Sequence, residues 1–449
     1  MNSPTPNPVL AELIKHIGRE RKLCVAFSGG LDSSVLLDAL VKLRDSHWPE
    51  MALRAIHVHH GLSQFADSWV SHCEAFCQQR GVPLEVIRVR VDSQQDGIEA
   101  AARKARYQAF ASSLAGDECL LTAQHLNDQC ETFMLALKRG SGPAGLSSMA
   151  ASASRQHYRL LRPLLSLSRQ QLEDFASAAN LSWIEDDSNG DARFDRNFLR
   201  LEVLPALYQR WPHFPEAVAR SAALCAEQES LLDELLAESL QTLQASDGSL
   251  QIEPMLVMSS PRRQALLRRW LAQLGAKMPS REQLQRIWDE VAICRDDAEP
   301  QFRLNTSSIR RFRQRLYLLP ASLPSLREEV VPWNIATKLS LPEGLGCLTV
   351  EMLTDSSLEG LRLPASDEAV TIRFTAQGMV EKVGRQGGRS LKKLWPELGV
   401  APWERERTPL VFYNEQLVAA PGLFITQQGR AEQGQQAYQV VWRKAVAGR

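Results

Sequence analysis

The feature that most constrains this chain is an alternation of short apolar runs with helix-period segments between residues 22 and 140. The apolar runs predict strands at 22–27, 53–58, 84–91 and 119–123. The segments between and after them predict helices near 32–44, 63–80, 97–114 and 127–138. Repeated strand–helix units of this length predict an α/β fold, a doubly wound parallel sheet with helices on both faces. Ligands of such folds bind at the carboxyl ends of the strands.

The rest of the chain divides into smaller parts. Ser168 and Gln171 have the spacing of a capping box, which predicts a helix start. A mainly helical middle part ends in a predicted strand at 309–319, on which Arg311, Arg313 and Arg315 would share one face. Short apolar runs between Gly/Pro turns predict a smaller β-rich C-terminal domain. We therefore expect a catalytic domain at 1–215, a linker helix at 216–243, a middle domain at 244–322 and a last domain at 323–449.

The net charge of zero hides an asymmetry along the chain. The whole chain has 52 Lys+Arg and 52 Asp+Glu. Residues 1–240 hold 24 basic and 30 acidic side chains, residues 241–325 hold 13 and 8, and residues 326–449 hold 15 and 14. The middle segment, at +5, is either a surface for a polyanion or a chance cluster on a solvated face.

Cysteine spacing and hydropathy exclude two further classes. The eight cysteines include no CxxC pair, so we expect free thiols in a reducing cytosol rather than a zinc or iron–sulfur site. The first residues lack a signal-peptide pattern, and no apolar run reaches the roughly 18–20 residues that span a bilayer. The sequence predicts a cytoplasmic protein with no membrane segment.

The clearest local motif is SGGLDSS at residues 28–34, directly after the first strand and opening a helix. Gly29 and Gly30 allow the backbone to approach a ligand closely, and the helix N-terminus favours an anion. Asp32 would repel phosphate, so we expect it to hold a divalent cation against one. The lysine of a Walker A loop is absent. Hydroxyls from three serines would add hydrogen-bond donors: Ser28, Ser33 and Ser34.

This loop resembles that of the PP-loop ATP pyrophosphatase superfamily. Further segments, together with the loop, resemble the tRNA(Ile)-lysidine synthetase family over nearly the whole chain. The chain departs from the family pattern at His59 and Gln124. The segments are HVHHGL at 57–62, EAAARKARY at 99–107, TAQHLNDQCET at 122–132, RGSGPAGL at 139–146, RPLL at 162–165, EDDSN at 185–189, RNFLR at 196–200, GGRSLKK at 387–393, PWER at 402–405 and PL at 409–410.

The resemblance implies a specific reaction. ATP adenylates O2 of the wobble cytidine in a tRNA(Ile) with a CAU anticodon, and pyrophosphate leaves. The ε-amine of L-lysine then attacks C2 and AMP leaves, which produces lysidine. ATP, Mg²⁺, L-lysine and this tRNA are the implied ligands, and the oligomeric state, with a homodimer as one alternative, stays open.

The resemblance also implies site residues. Either Arg103 or Arg106 neutralises the transferred phosphoryl group. Asp128 coordinates Mg²⁺ together with Asp32 or orients the amine as a base. The implied ATP-binding residues are Ser28, Gly29, Gly30, Leu31, Asp32, Ser33 and His60. The implied catalytic residues are Asp32, Arg106, His125 and Asp128.

Three surface features have two interpretations each. The charged stretch 185–200 is either a loop that closes over lysine and the anticodon or a solvated, salt-bridged loop. Trp395 and Trp403 either pack in a core or stack on a base. A basic cluster fits phosphate contacts on a tRNA: Arg389, Lys392, Lys393, Arg405 and Arg407. The nearest alternative enzyme, a tRNA thiolase on the same fold, would need cysteine pairs that the sequence lacks.

Overall fold

The computed structural model describes residues 7–61, 63–91, 97–155, 158–295, 300–353 and 360–445. The chain divides into two compact units, Met1–Glu234 and Leu235–Arg449. No helix among the described residues is both long and apolar enough to cross a bilayer.

The first unit is built on one six-stranded sheet in the order β3-β2-β1-β4-β6-β5. Neighbouring strands are parallel except for the β5–β6 pair at one edge. The predicted doubly wound parallel sheet is therefore confirmed. The strands are β1 (Lys22–Ala26), β2 (Ala52–His59), β3 (Leu84–Arg88), β4 (Cys119–Leu121), β5 (Ser152–Ser154) and β6 (Arg159–Leu161).

Helices cover both faces of this sheet, which explains why its strands are nearly continuous apolar runs. Leu23 and Val25 of β1 belong to the core on one face, whereas Cys24 packs with Phe110 and Leu120 on the other. The helices of this unit are α1 (Pro8–Ile17), α2 (Leu31–Ser46), α3 (Ala66–Gln79), α4 (Ile98–Ser113), α5 (Leu126–Lys138), α6 (Pro143–Leu146), α7 (Arg169–Ala178), α8 (Asp195–Phe198) and α9 (Leu204–Arg210). The next helix, α10 (Phe214–Leu243), begins in the first unit and ends in the second.

The strand order places the ligand crevice. From β1 the chain builds outward through β2 and β3, then returns to β4 on the other side of β1. The loops after β1 and β4 therefore diverge at a topological switch point, where doubly wound sheets bind their ligands. The loop at 28–34 and the segment at 122–128 both lie there.

The second unit begins with a helical region packed on a small antiparallel sheet in the order β7-β10-β9-β8. Its core contains Trp270, Leu266 and Leu316, all buried. The helices are α11 (Ser260–Gln273) and α12 (Arg281–Arg286), which continues as a π-helical turn at Ile287–Ala292. The strands are β7 (Leu250–Gln251), β8 (Gln301–Leu304), β9 (Ser307–Phe312) and β10 (Arg315–Pro320).

The prediction of one continuous strand at 309–319 is wrong. Residues 307–320 form a β-hairpin whose two turn residues, Arg313 (φ 45°) and Gln314 (φ 58°), are both left-handed. Two-residue hairpin turns with positive φ usually contain Asn or Gly, so the Arg-Gln pair gave no turn signal.

The three arginines of this segment consequently do not share a face. Arg311 donates to the carbonyl oxygen of Arg295 (2.7 Å), and Arg315 donates to Ser249 Oγ (3.0 Å). Arg313 in the turn donates to the carbonyl oxygen of Pro396 (2.9 Å). These guanidiniums hold loops of their own unit together.

The C-terminal region is β-rich, as predicted, with two antiparallel sheets in the orders β11-β15-β16-β17-β18 and β12-β13-β19-β14. Trp395 is buried in its core, and Trp403 packs against the Tyr317 ring with centroids 5.1 Å apart, so both favour packing over base stacking. The elements are β11 (Val330–Pro332), β12 (Leu339–Ser340), β13 (Cys347–Leu353), β14 (Leu361–Arg362), β15 (Val370–Arg373), α13 (Leu391–Glu397), β16 (Leu410–Tyr413), β17 (Gln416–Ala420), β18 (Phe424–Ile425) and β19 (Ala437–Arg443).

Candidate active site

The glycine loop between β1 and α2 is held in one conformation by close packing. Gly29 has φ +84°, and a Cβ there would lie 2.6 Å from Ile184 Cδ1 and 2.9 Å from Cys73 Sγ. The amide of Ile184 also donates to the Gly29 carbonyl oxygen (2.9 Å). Only glycine fits this position, for both conformational and steric reasons.

The start of α2 presents open backbone N–H groups to the crevice. Gly30 is the N-cap residue and makes no side-chain capping bond. The serine hydroxyls are engaged within the loop, since Ser28 Oγ and Ser33 Oγ are 3.1 Å apart and Ser34 Oγ donates to the Gly29 carbonyl oxygen (3.4 Å). A phosphate group bound here would therefore meet the backbone donors and the positive end of the helix dipole.

The three predicted residues Asp32, His125 and Asp128 come together at the switch point. Nε2 of His125 lies 3.7 Å from Asp32 Oδ2 and 3.5 Å from Asp128 Oδ2. Nδ1 of the same ring accepts a hydrogen bond from the Asn127 amide (3.2 Å), as part of a capping box in which Asp128 accepts from the His125 amide (3.0 Å). Because Nδ1 is an acceptor, the neutral ring carries its proton on Nε2, between the two carboxylates.

Asp32 has a second partner that the sequence did not indicate. Arg169, the first residue of α7, places Nη1 2.9 Å from Asp32 Oδ1 and its Nε 2.9 Å from Glu173 Oε1. Burial raises the pKa of Asp32, while His125 and Arg169 act in the opposite direction. The pKa of Asp32 is raised overall, and the Arg169 guanidinium limits that rise.

A second carboxylate–arginine group adjoins Asp128. Glu131 is 1% exposed, and its Oε1 accepts from Arg200 Nε (2.7 Å). Arg200 also lies 3.3 Å from Asp128, and Arg196 lies 3.7 Å from Glu131. Burial raises the pKa of Glu131, and Arg200 opposes that rise.

His60, directly after β2, pairs with Arg106 on α4. Arg106 Nε donates to His60 Nε2 (3.3 Å). Burial, followed by the charge of Arg106, lowers the pKa of His60 to about 4. Arg103 instead lies with its guanidinium carbon 5.3 Å from the centroid of the Tyr107 ring, so the two candidate arginines have different surroundings. The spacing on α4 also allows a surface ion pair of either arginine with Glu99, whose side chain lies outside the described residues.

Other predicted positions have structural partners. His57 donates from Nδ1 to the Phe27 carbonyl oxygen (3.0 Å), and His59 lies 3.3 Å from Asp67. In the charged stretch 185–200, Arg193 pairs with Asp191. Arg196 and Arg200, near the end of the same stretch, contact the carboxylates of α5. Asp187 in this stretch has a side chain outside the described residues.

Sequence reasoning missed two residues of the site, Arg169 and Glu131. Arg169 stands in the motif SRQQ, which signals only a helix start. Glu131 follows Asp128 by three positions on α5, a spacing that places both carboxylates on one helix face. That spacing was a usable signal, whereas the Arg169–Asp32 contact joins positions 137 residues apart.

Such a loop at the switch point of a doubly wound sheet, with carboxylates beside it, defines a nucleotide-binding domain of the PP-loop class. A family profile described as "PP-loop domain" matches residues 5–207. Two further profiles, described as "TilS substrate binding domain" and "TilS substrate C-terminal domain", match residues 250–317 and 370–442.

Curated relatives extend the likeness to nearly the whole chain. The tRNA(Ile)-lysidine synthase of Serratia proteamaculans (strain 568) is 59% identical over 98% of this chain and 99% of its own length. That of Edwardsiella ictaluri (strain 93-146) is 58% identical over 94% and 95%. The chain belongs to the tRNA(Ile)-lysidine synthase family.

Two solved structures show partial likeness. The U34-tRNA thiolase NcsA from Methanococcus maripaludis covers 49% of this chain and 78% of its own, with 15% identity and a TM-score of 0.42. A TilS C-terminal domain covers 25% of this chain and 92% of its own, with 23% identity and a TM-score of 0.21. Neither likeness bears on the reaction.

Proposed function

We propose that this protein joins L-lysine to C2 of the wobble cytidine in tRNA(Ile) with a CAU anticodon, at the expense of ATP. The products are lysidine, AMP and pyrophosphate. The observation that carries the proposal is the convergence of Asp32 and Asp128 on His125, beside the open N-terminus of α2. Membership of the tRNA(Ile)-lysidine synthase family supports the choice of substrates.

In the first step the cytidine O2 attacks the α-phosphorus of ATP and the bond to pyrophosphate breaks. The backbone N–H groups at the start of α2 would bind the leaving phosphates. Of the two candidate arginines we assign Arg106, and not Arg103, to the transferred phosphoryl group, because Arg106 lies against His60 of the ATP-binding set whereas Arg103 lies against Tyr107. Neutral His60 accepts from Arg106 Nε and would keep the guanidinium oriented.

The residues present fit a magnesium ion. Asp32 and Asp128 would hold it, since both carboxylates lie within 4 Å of the same His125 nitrogen. Mg²⁺ typically binds through one or two carboxylates plus water and phosphate oxygens, so two carboxylates suffice. When bound, the ion neutralises charge on the triphosphate.

In the second step the lysine ε-nitrogen attacks C2, and the C2–O2 bond breaks as AMP leaves with O2. The ammonium must first lose a proton. Asp128 has two alternative roles here: it either holds the ion together with Asp32, or it leaves the ion to Asp32 and accepts this proton. Glu131, bound by Arg200, supplies a second carboxylate beside it that would attract the ammonium. These assignments make the start of α5 the lysine side of the site.

The substrate-binding regions of the second unit would hold the tRNA. In the basic cluster, Lys392 and Lys393 are exposed, whereas Arg389 pairs with Glu397 and Arg407 donates to the Pro324 carbonyl oxygen (3.0 Å). The exposed lysines are the better candidates for phosphate contacts. A tRNA substrate implies that the protein works in the cytoplasm, and a homodimer is compatible with this reaction.

Transfer of isotope tests the proposal directly. Labelled lysine should enter CAU-anticodon tRNA(Ile) only with ATP present, and one AMP should form per lysine incorporated. A tRNA(Ile) transcript with another base at the wobble position is the matched control and should stay unlabelled. Absence of lysine transfer with well-folded protein would overturn the proposal.

The cysteines argue against the alternative function of a tRNA thiolase, because sulfur transfer requires reactive thiols. All eight cysteines are free, and five of them are buried. Burial raises the pKa of Cys24, Cys73 and Cys77 to about 12, so these thiols stay protonated and unreactive. Incorporation of labelled sulfur into the same tRNA would revive this alternative.

A further inference from the structure

Three arginines gather around one tyrosine on the α4 side of the first unit. Arg103, one turn before Tyr107 on α4, has its guanidinium carbon 5.3 Å from the Tyr107 ring centroid. Arg155, in the turn between β5 and β6, has its guanidinium carbon 5.7 Å from the same centroid. Arg162 directly follows β6, at its carboxyl end. We call these four residues the Tyr107 cluster.

Arg162 is the buried member of the Tyr107 cluster. It is 5% exposed, and its Nη1 donates to the Ala150 carbonyl oxygen (2.7 Å). Its Nε is buried and has no hydrogen-bond partner among the described residues. Burial lowers the pKa of Arg162, Tyr107 partly compensates, and the charges of Arg103 and Arg155 lower it further. The protein thus keeps three like charges close together at an electrostatic cost.

No carboxylate offsets that cost within the described ranges. None of the ion pairs there involves Arg103, Arg155 or Arg162, although Arg159 nearby pairs with Glu20 (2.8 Å). Residues 1–240 carry six more acidic than basic side chains, so uncompensated arginines do not follow from composition. A grouping of this kind is complementary to an anion that the protein itself does not supply.

We propose that the Tyr107 cluster binds a backbone phosphodiester of the tRNA substrate. Arg103 and Arg155 are exposed and donate to the phosphate, the Tyr107 ring orients both guanidiniums by cation–π contact, and Arg162 adds charge from beneath. The proposal rests on the proposed function, because it takes the polyanion to be the tRNA that carries the wobble cytidine. Such a contact fixes the position of the substrate and reads no base.

The Tyr107 cluster and Asp32 have different principal electrostatic neighbours. The largest charge effects on Asp32 come from His125, Arg169, Asp128 and Arg200. Arg162 in turn is influenced by Tyr107, Arg103 and Arg155. An extended polyanion would reach the exposed arginines while its target base occupies the switch-point crevice.

The test compares two double variants of the full-length chain that remove the same charge. Arg103→Gln/Arg155→Gln changes the cluster, and Lys104→Gln/Arg159→Gln changes neighbouring exposed cations outside it. Affinity for unmodified CAU-anticodon tRNA(Ile) is measured by filter binding between roughly 50 and 200 mM salt. Affinity for ATP is measured by calorimetry, and thermal unfolding confirms that both variants fold.

The cluster variant should bind tRNA on the order of ten-fold more weakly, and its salt dependence should be shallower by about 0.7–0.9 per lost phosphate contact. ATP affinity should not change, and the control variant should resemble wild type. Equal weakening in both variants, unchanged tRNA affinity, or a loss of ATP affinity instead would each overturn the proposal. Wild-type protein that binds this tRNA through the cluster yet transfers no lysine would refute the proposed function alone.

Discussion

The chemistry of this site depends on how single side chains are held, and Asp32 is the clearest case. Its two oxygens face cationic or donor groups from different elements, Arg169 at the start of α7 and His125 at the start of α5. Burial raises the pKa of Asp32, and these two neighbours reduce the rise. The proposed cation site at Asp32 is therefore lined by groups that favour its charged form.

Replacing Asp32 by asparagine keeps the shape and removes the charge. Asp32→Asn should reduce pyrophosphate release about 10²–10³-fold, because a preorganised electrostatic contact to the reacting phosphates is lost. Affinity for tRNA should stay within two-fold of wild type. Asp45→Asn, an exposed carboxylate on the same helix, is the control and should change neither quantity. Equal loss of catalysis and tRNA affinity would contradict the role of Asp32.

Alanine substitutions at Gly29 and Gly18 distinguish the cost of a steric clash from the cost of an unfavourable backbone conformation. Both have positive φ, but a Cβ at Gly18 would meet nothing within 4 Å, whereas at Gly29 it would meet Ile184 and Cys73. Gly18→Ala should cost only the backbone strain, about 1–3 kcal/mol of unfolding free energy, because residues with a side chain rarely adopt φ 59° with ψ −117°. Gly29→Ala should cost more and abolish measurable ATP binding. Similar unfolding midpoints for the two variants would show that the loop can adjust.

His60 should titrate far below an ordinary histidine. Its pKa of about 4 is depressed by burial and by Arg106, so the neutral ring stabilises the fold above the unfolded pKa near 6.5. That contribution is lost as pH falls from about 6.5 towards 4, because the unfolded chain binds the proton more readily. Histidine NMR titration should show the low value and its rise in Arg106→Gln. An unchanged His60 value in Arg106→Gln would contradict this effect of the Arg106 charge.

Among the elements, α7 connects helix capping to the catalytic crevice. Ser168 and Gln171 form a reciprocal capping box. Arg169, directly after Ser168, donates its backbone N–H to Asn127 Oδ1 (3.0 Å) at the start of α5. The first turn of α7 is thereby docked on the element that carries Asp128. A motif that the sequence offered only as a helix start thus positions a partner of Asp32.

A matched pair of capping boxes tests this link. Ser168→Ala and Ser280→Ala should each cost about 1 kcal/mol of unfolding free energy, since each removes an N-cap acceptor. Only Ser168→Ala should also weaken ATP binding, through displacement of Arg169. Calorimetric ATP titration distinguishes the two. Unchanged ATP affinity in Ser168→Ala would mean that Asn127 holds Arg169 in place without the cap.

Taken as a whole, the molecule places charge according to task, and the zero net total conceals this. The first 240 residues carry −6 and contain the proposed cation and lysine sites, whereas the remaining residues carry +6 and suit a polyanion. Composition does not say which cations are available to solvent. Arg311 and Arg315 bond to protein groups, while Lys392 and Lys393 are exposed.

Lys392→Gln/Lys393→Gln should therefore weaken tRNA binding and flatten its salt dependence by about 0.7–0.9 per lost contact. Arg311→Gln/Arg315→Gln removes the same charge but should chiefly lower the thermal unfolding midpoint and leave the salt slope intact. Filter binding across a salt series and thermal scans measure both. The reverse pattern would place the hairpin of β9 and β10 in the interface.

The sequence by itself determined the sheet class, the glycine loop and the family, because these depend on short-range patterns. Apolar runs of strand length and the residue spacing within SGGLDSS are local features, so they can be recognised in the sequence alone. Asp128 and His125 were identifiable for the same reason, since both follow a strand that ends at the switch point.

Only the tertiary structure decided which cations serve the site and which serve the fold. The Arg169–Asp32 contact and the Tyr107 cluster join residues distant in sequence, and no local pattern encodes such distances. The hairpin at Arg313 and Gln314 escaped detection because its left-handed turn uses residues that rarely adopt that conformation. The physical reason is common to all three: the free energy of a charge or a strained turn depends on its neighbours in space, which the chain supplies only once folded.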